Sequence, residues 1–223
     1  MTLLLTGVGK IDAAAPPAGP VGFVGVSTTD IKPGAPSLTH SFSHTRPVTT
    51  QGALVVKSQN DTPVSGVTYG GVALTKVREE GFGSVGTSFW MGNNADMPTG
   101  SNTVVITFTG TTSNAIANVN NLENVDQTTM WDADGGQNGS LSSSSLNVTI
   151  ATDGLAMDTI GEDFSSISTT GGASQITLNN SSDGSVEGGS SYNNVQTAGS
   201  KILGWTWSFT NDCGHVIVSI KNG

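Results

Sequence analysis

From Val21 onward the chain alternates apolar and polar residues in short runs, and clusters of Gly, Asn, Asp and Ser separate the runs. A period of two is what a strand with one buried face requires, because successive side chains leave a pleated backbone on opposite sides. The C-terminal half carries the clearest example. In Leu203-Gly204-Trp205-Thr206-Trp207-Ser208-Phe209-Thr210 the large apolar groups share one face and the small or polar groups the other, so a sheet packed on a core is predicted there. Val104, Ile106 and Phe108 repeat the pattern, as do Leu146, Val148 and Ile150 and, in the last strand, Val216, Val218 and Ile220. Trp90 follows Phe89, so the same alternation sends one of the two outward.

Val67-Thr68-Tyr69 and Val72-Ala73-Leu74-Thr75 flank Gly70-Gly71, a two-residue connection that tolerates the positive φ of a primed hairpin turn. No ten-residue amphipathic helix separates the strand candidates, which favours antiparallel sheets over βαβ crossovers. A repeat of fixed period is absent, and this argues against a propeller or a β-solenoid. The stretches 134–145 and 179–191 are rich in Gly and Ser and are predicted to be exposed loops or tips. The predicted fold class is all-β: an antiparallel two-sheet sandwich, jelly-roll-like, over residues 21–223, preceded by an extended N-terminal arm over residues 1–20.

The arm is read from Ala13-Ala14-Ala15-Pro16-Pro17-Ala18-Gly19-Pro20, which has little to bury and whose paired prolines favour an extended path. Leu3, Leu4 and Leu5, with Pro16 and Pro17, are its candidate assembly contacts. Such a segment takes a fixed course only when something holds it. A neighbouring subunit is the simplest candidate, and packing back on its own subunit is the alternative.

Composition narrows the function classes. Charged residues make up only 11% of the 223 and hydrophobic ones 35%, which suits neither a disordered polyampholyte nor a helical bundle. A net charge of -9 repels a phosphate backbone, and no basic stripe offsets it, so nucleic acid is not an expected partner. The start lacks a basic leader, and no apolar run approaches the ~20 residues that span a bilayer. The expectation is a soluble protein made in a cytoplasm, without membrane insertion. The single Cys213 forms no internal disulfide, so packing and subunit contacts must supply stability.

Candidate chemistry is sparse. A nucleophilic triad must draw on His40, His44 or His215, and no Gly-x-Ser-x-Gly elbow occurs. His215 opens the last strand, where a surface imidazole is expected, and Cys213 two residues away cannot complete a tetrahedral metal site with it. His40 and His44 flank Phe42 at strand spacing and share a face, but two imidazoles without a third ligand read as polar sheet surface. Glu79-Glu80 and Glu162-Asp163 are adjacent in sequence, so each pair points to opposite faces and forms no glycosidase dyad. Asp132-Ala133-Asp134-Gly135 resembles half a calcium loop but lacks the distal bidentate Glu, and reads as a turn. No catalytic residue, cofactor or metal ligand is assigned, and the chain is expected not to be an enzyme. Trp131 and Tyr192 are the candidate glycan contacts, because exposed aromatic faces stack on pyranose rings. Trp205 and Trp207 alternate with small residues and read as core or an interface ridge.

The order of features completes the reading. The hairpin over residues 67–75 is followed by Ser88-Phe89-Trp90-Met91, by Pro98-Thr99-Gly100 leading into Asn102-Thr103-Val104-Val105-Ile106-Thr107-Phe108, by Val125-Asp126-Gln127-Thr128-Thr129, and by the closing Val216-Ile217-Val218-Ser219-Ile220-Lys221. This order resembles a broad group of jelly-roll or lectin-like β-sandwich domains of phage and prophage virion proteins and of some bacterial surface proteins, over residues 21–223. The opening Thr2-Leu3-Leu4-Leu5-Thr6-Gly7 is similar to the starts of short phage structural proteins. The resemblance implies a place on a bacteriophage virion exterior, as a capsid decoration or cement protein or a tail appendage, with other virion proteins and copies of itself as partners. It brings no catalytic residues with it. A carbohydrate-binding module that attaches to a host surface glycan is the alternative.

Overall fold

Period-two patterning becomes strand along most of the chain. The computed structural model describes residues 19–32, 34–49, 51–163 and 166–223, apart from the side chain of Phe82; the proposed arm contacts Leu3, Leu4, Leu5, Pro16 and Pro17 lie outside the described residues. In chain order the strands are β1 (Gly22–Phe23), β2 (Thr28–Lys32), β3 (Ser37–Arg46), β4 (Ala53–Asn60), β5 (Val64–Tyr69), β6 (Val72–Ala73), β7 (Thr75–Phe82), β8 (Val85–Asn93), β9 (Gly100–Thr112), β10 (Ala115–Glu123), β11 (Trp131–Ile150), β12 (Leu155–Asp163), β13 (Ser168–Thr169), β14 (Gln175–Ser182), β15 (Val186–Asn193) and β16 (Gly199–Ile220). Among the described residues, helix is limited to one 3₁₀ turn at Gly172–Ser174.

All pairings are antiparallel. The outer sheet has the order β3-β9-β5-β6, and the central sheet β7-β8-β4-β10, with β1 and β2 both on β10. The third has the order β14-β15-β12-β16-β11, with β13 also on β16. The chain crosses between outer and central sheets at β3, β4 and β5, a wrapping that a jelly roll shares. The all-β antiparallel sandwich expected from the sequence is thus what the chain forms, with a third sheet added to the stack.

The third sheet changes what alternation means. In β4, Leu54 and Val56 pack with Val67, Tyr69, Val104 and Ile106 of the outer sheet. The other face of the same strand sends Ala53 and Val55 against Leu155, Met157, Val216 and Val218 of the third. Every residue of β4 is therefore buried. The same holds for Phe89 and Trp90 of β8, so neither points outward, contrary to the one-face expectation. Alternation in these strands sorts side chains between two interiors.

The third sheet is itself covered on its far side by part of its own ribbon. β11 and β16 pair from Trp131↔Ile220 to Ile150↔Gly199, but the register jumps from Leu141↔Asn211 to Ser143↔Thr206. β16 has three residues more here than the pairing needs, and they produce a bend. The ribbon folds over there: Val148, Ile150 and Leu203 from one arm pack against Ala156 and Ile217 beneath the other. Phe209 sits in the bend and is 71% exposed, which removes it from the buried face that Leu203, Trp205 and Trp207 do occupy.

Two glycine-rich stretches expected as loops are strand instead. Residues 134–145 belong to β11, and residues 179–191 to β14 and β15 with only a short turn between. Close approach is the reason, because a Cβ on Gly188 would lie 2.8 Å from Gln59 Oε1 of the central sheet and one on Gly189 2.7 Å from the Trp205 ring. The Gly70-Gly71 hairpin forms as expected, with φ of 56° and 83° and Tyr69 paired to Val72. Gly189→Ala is expected to lower the unfolding free energy by about 1–3 kcal/mol through overpacking against Trp205, measured by urea denaturation.

Candidate functional site

Stacking three sheets and a folded ribbon buries polar side chains that a two-layer protein would leave in water, and each must find a partner inside. Asp158 of β12 is the centre of the largest such network. Its Oδ1 accepts hydrogen bonds from the Ser191 backbone N–H and from Ser191 Oγ, both at 2.7 Å. Its Oδ2 accepts from Trp205 Nε1 at 2.8 Å and lies 3.1 Å from His215 Nε2. The other imidazole nitrogen, Nδ1, is 2.8 Å from Ser144 Oγ, which is also 2.7 Å from Gln137 Oε1.

Ser144, His215 and Asp158 therefore form a serine–histidine–carboxylate chain within hydrogen-bond distance. Two features set it apart from a hydrolytic triad. The imidazole offers Nδ1 to the serine and Nε2 to the carboxylate, the reverse of the usual arrangement. Ser144 is only 2% exposed, and both partners are fully buried, so no substrate reaches Oγ. What the arrangement does is join layers: Gln137 and His215 come from one arm of the folded ribbon, Ser144 and Trp205 from the other, and Asp158 and Ser191 from β12 and β15. The expectation of a surface imidazole at His215 is overturned, because the folded ribbon covers it.

A second polar group lies between the central and third sheets. Gln59 Nε2 donates to Thr159 Oγ1, which is 3.3 Å from Thr87 Oγ1, and Ser190 Oγ donates to Asn118 Oδ1 at 3.1 Å. Lys57 lies in the same interlayer, fully buried, and its Nζ has no hydrogen-bond partner. Burial pushes its pKa down to about 7, against the opposing pull of the Asp158 carboxylate.

His40 and His44 share a face with Phe42, as their spacing predicts, but the face is turned inward. They are not polar sheet surface: β2 and the central sheet close over them. His40 Nε2 is 2.6 Å from Asp30 Oδ1, while His44 Nδ1 is 2.8 Å from Thr28 Oγ1 and its Nε2 3.2 Å from Asn121 Oδ1. Desolvation lowers the pKa of both imidazoles. Cys213 is buried beside Trp205, Trp207 and Ile160, and burial with nearby Glu162 and Asp212 raises its thiol to about 11, which leaves it a packing residue rather than a nucleophile.

The acidic pairs separate as expected from strand geometry. Glu79 accepts from Lys76 Nζ at 2.5 Å and Glu80 from Arg78, whose Nη1 also donates to Asp134 at 2.9 Å. Asp163 accepts from Ser84, and Glu162 from Asn211. Asp132 to Gly135 form no turn; they run along β11 opposite β16, and Asp134 holds Arg78 instead of an ion. Among the described residues, no group of three or more His, Cys, Asp or Glu is placed to hold a metal.

The two aromatic candidates are not brought together. Trp131 is half-buried at the start of β11 and lines a surface cavity of about 270 Å³ with Thr75, Asn93, Gln127, Thr128 and Thr129. Tyr192 lies on β15, beyond β16 and β12, with its ring 4.8 Å from that of Phe23. Asp158, Ser144 and Lys57 escaped the sequence reading. A charge inside a continuous apolar run, as in Leu54-Val55-Val56-Lys57 and Leu155-Ala156-Met157-Asp158, was the signal available for two of them.

No family model matches the chain, and no curated protein matches it. Among solved structures, a turret protein of Sulfolobus turreted icosahedral virus aligns over 90% of this chain and 98% of its own length, at 12% identity and a TM-score of 0.22. That score is too low to establish a common fold.

Replacing Asp158 by Ala leaves the Ser191 N–H, Trp205 Nε1 and His215 without their acceptor in a dry interior. Asp158→Ala is expected to cost roughly 3–5 kcal/mol of stability in denaturant titration. A loss below about 1 kcal/mol would show that the network is incidental to the stacking.

Proposed function

We propose that the chain is a non-enzymatic structural component of a bacteriophage virion exterior, either a capsid decoration or cement protein or a tail appendage. It is assembled in the host cytoplasm and acts through contacts with other virion proteins and with copies of itself. The observation that carries this reading is where the reactive side chains go. All three histidines, the thiol and the serine–histidine–carboxylate chain are enclosed between layers, so their chemistry is spent on holding sheets together. A stack of this kind makes a stiff body whose outer surface is free for contact.

Apolar groups left on that surface support the same reading. Val26 and Val48 are 74% and 84% exposed, and Leu38 of β3 stands out between them in sequence. All three follow closely on residues 1–20, the segment proposed as the assembly arm. Exposed apolar side chains of this size are cheapest to keep where another surface covers them. The charge of -9 agrees with partners that are proteins rather than nucleic acid. Immunogold labelling of purified particles with an antibody to this chain is expected to decorate the exterior. Particles that carry none of the chain would refute the assignment.

One observation favours a second reading, a carbohydrate-binding module. The cavity beside Trp131 is lined by that indole together with Thr75, Thr128 and Asn93, a mixture of aromatic, hydroxyl and amide groups that pyranose recognition uses. On a glycan array, Trp131→Ala is expected to lose about tenfold or more of any signal given by the wild type, since an aromatic contact contributes ~1 kcal/mol or more beyond area burial. Equal signals from both proteins would remove Trp131 from the site.

A further inference from the structure

Lys57 occupies a position for which the hydrogen-bonded network provides no partner. It lies on β4, on the face shared with Val55 and Gln59 that packs against the third sheet. Its side chain is fully buried and Nζ has no hydrogen bond. Burial disfavours a charged ammonium that has no hydrogen-bond acceptor, against the opposing pull of the Asp158 carboxylate, and so shifts the amine toward its neutral, nucleophilic form.

The residue directly opposite Lys57 on β10 is Asn118. Opposed residues of an antiparallel pair project to the same face with Cβ atoms about 5 Å apart, so a lysine amine can fold onto the carboxamide of its partner. Asn118 is fully buried as well, and its carboxamide is fixed at both ends. Ser190 Oγ donates to Oδ1 at 3.1 Å, and Nδ2 donates to Thr29 Oγ1 at 3.1 Å. Ser190 is thus placed to stabilise charge that grows on Oδ1 when Cγ is attacked. Thr29 marks the path of the departing nitrogen toward β2 at the sheet edge.

We propose that Lys57 and Asn118 join in an intramolecular isopeptide bond. The Nζ lone pair attacks Cγ of Asn118, the Nζ–Cγ bond forms and the Cγ–Nδ2 bond breaks. One Nζ proton passes to the leaving nitrogen, which departs as ammonia. The product is a secondary amide, and the step needs no oxidant, metal or co-reactant. Exclusion of water favours the amine over hydrolysis, and proximity supplies the rate. The bond clips β4 to β10 in the layer that is buried on both sides, and so ties the centre of the stack against unfolding by load or protease. It is independent of where the protein is assembled.

Mass spectrometry of the denatured full chain tests this. The wild type is expected to weigh one ammonia less than its sequence, while Lys57→Met and Asn118→Ala each weigh the full sequence mass. Trypsin should leave the chain uncut after Lys57 and yield a branched peptide that joins residues 57 and 118. Peptide mapping is essential, because a cyclic imide at Asn138-Gly139 would lose the same mass. Should either variant fail to fold, the deficit and the branched peptide of the wild type decide alone. A wild-type chain at full mass, or a deficit mapped to any other residue, overturns the proposal.

Discussion

The structure depends on a central sheet whose middle strands have no solvent-facing side. Once β4, β8 and β10 are covered on both faces, every backbone group in them must be met by a neighbouring strand, and polar side chains there turn to other side chains, with Lys57 Nζ among the atoms left without a hydrogen bond. The antiparallel ladder meets the first requirement along the whole length of β4, between β8 on one edge and β10 on the other. The second produces the pairs between Gln59 and Thr159 and between Ser190 and Asn118 that cross from sheet to sheet. These contacts give the layers a fixed register, which apolar packing alone leaves loose.

Glycine decides how closely the layers meet. Gly161, Gly188 and Gly214 face the central sheet, and a Cβ on any of them would come within 3.1 Å or less of Val85, Gln59 or the backbone of Glu80. Their absence of a side chain brings the third sheet close to the central one at the end where Gln59 and Thr87 point inward. The close approach and the polar contacts are consequences of each other, because short hydroxyl and amide side chains reach across only a narrow gap.

The folded ribbon of β11 and β16 completes the enclosure. Its bend lets one pair of strands serve both as the edge of the third sheet and as the cover over it, and Asp158 is the group on which both arms converge. A constellation that would be reactive at a surface becomes a fastener when nothing can reach it. The result is a body whose histidines, thiol and serine–histidine–carboxylate chain lie inside, away from its exposed apolar side chains and the cavity at Trp131.

The sequence by itself determined the all-β antiparallel class and the hairpin at Gly70-Gly71, because each follows from local rules: a period of two, an absence of helical pattern and a turn that only glycine makes easily. It also read Trp205 and Trp207 as core or an interface ridge, of which the structure makes them core, and kept Glu79 from Glu80. What only the tertiary structure decided is which of two faces counts as surface. Phe89 and Trp90 are both buried, His40, His44 and His215 lie inside, and the glycine-rich segments of β11 and β15 are strand rather than loop. The interlayer positions of Ser144, Asp158 and Lys57 have the same origin. Burial is a property of what packs on a residue, and the sheets that pack here come from parts of the chain a hundred residues apart, as Gln59 and Thr159 do, which no local window contains.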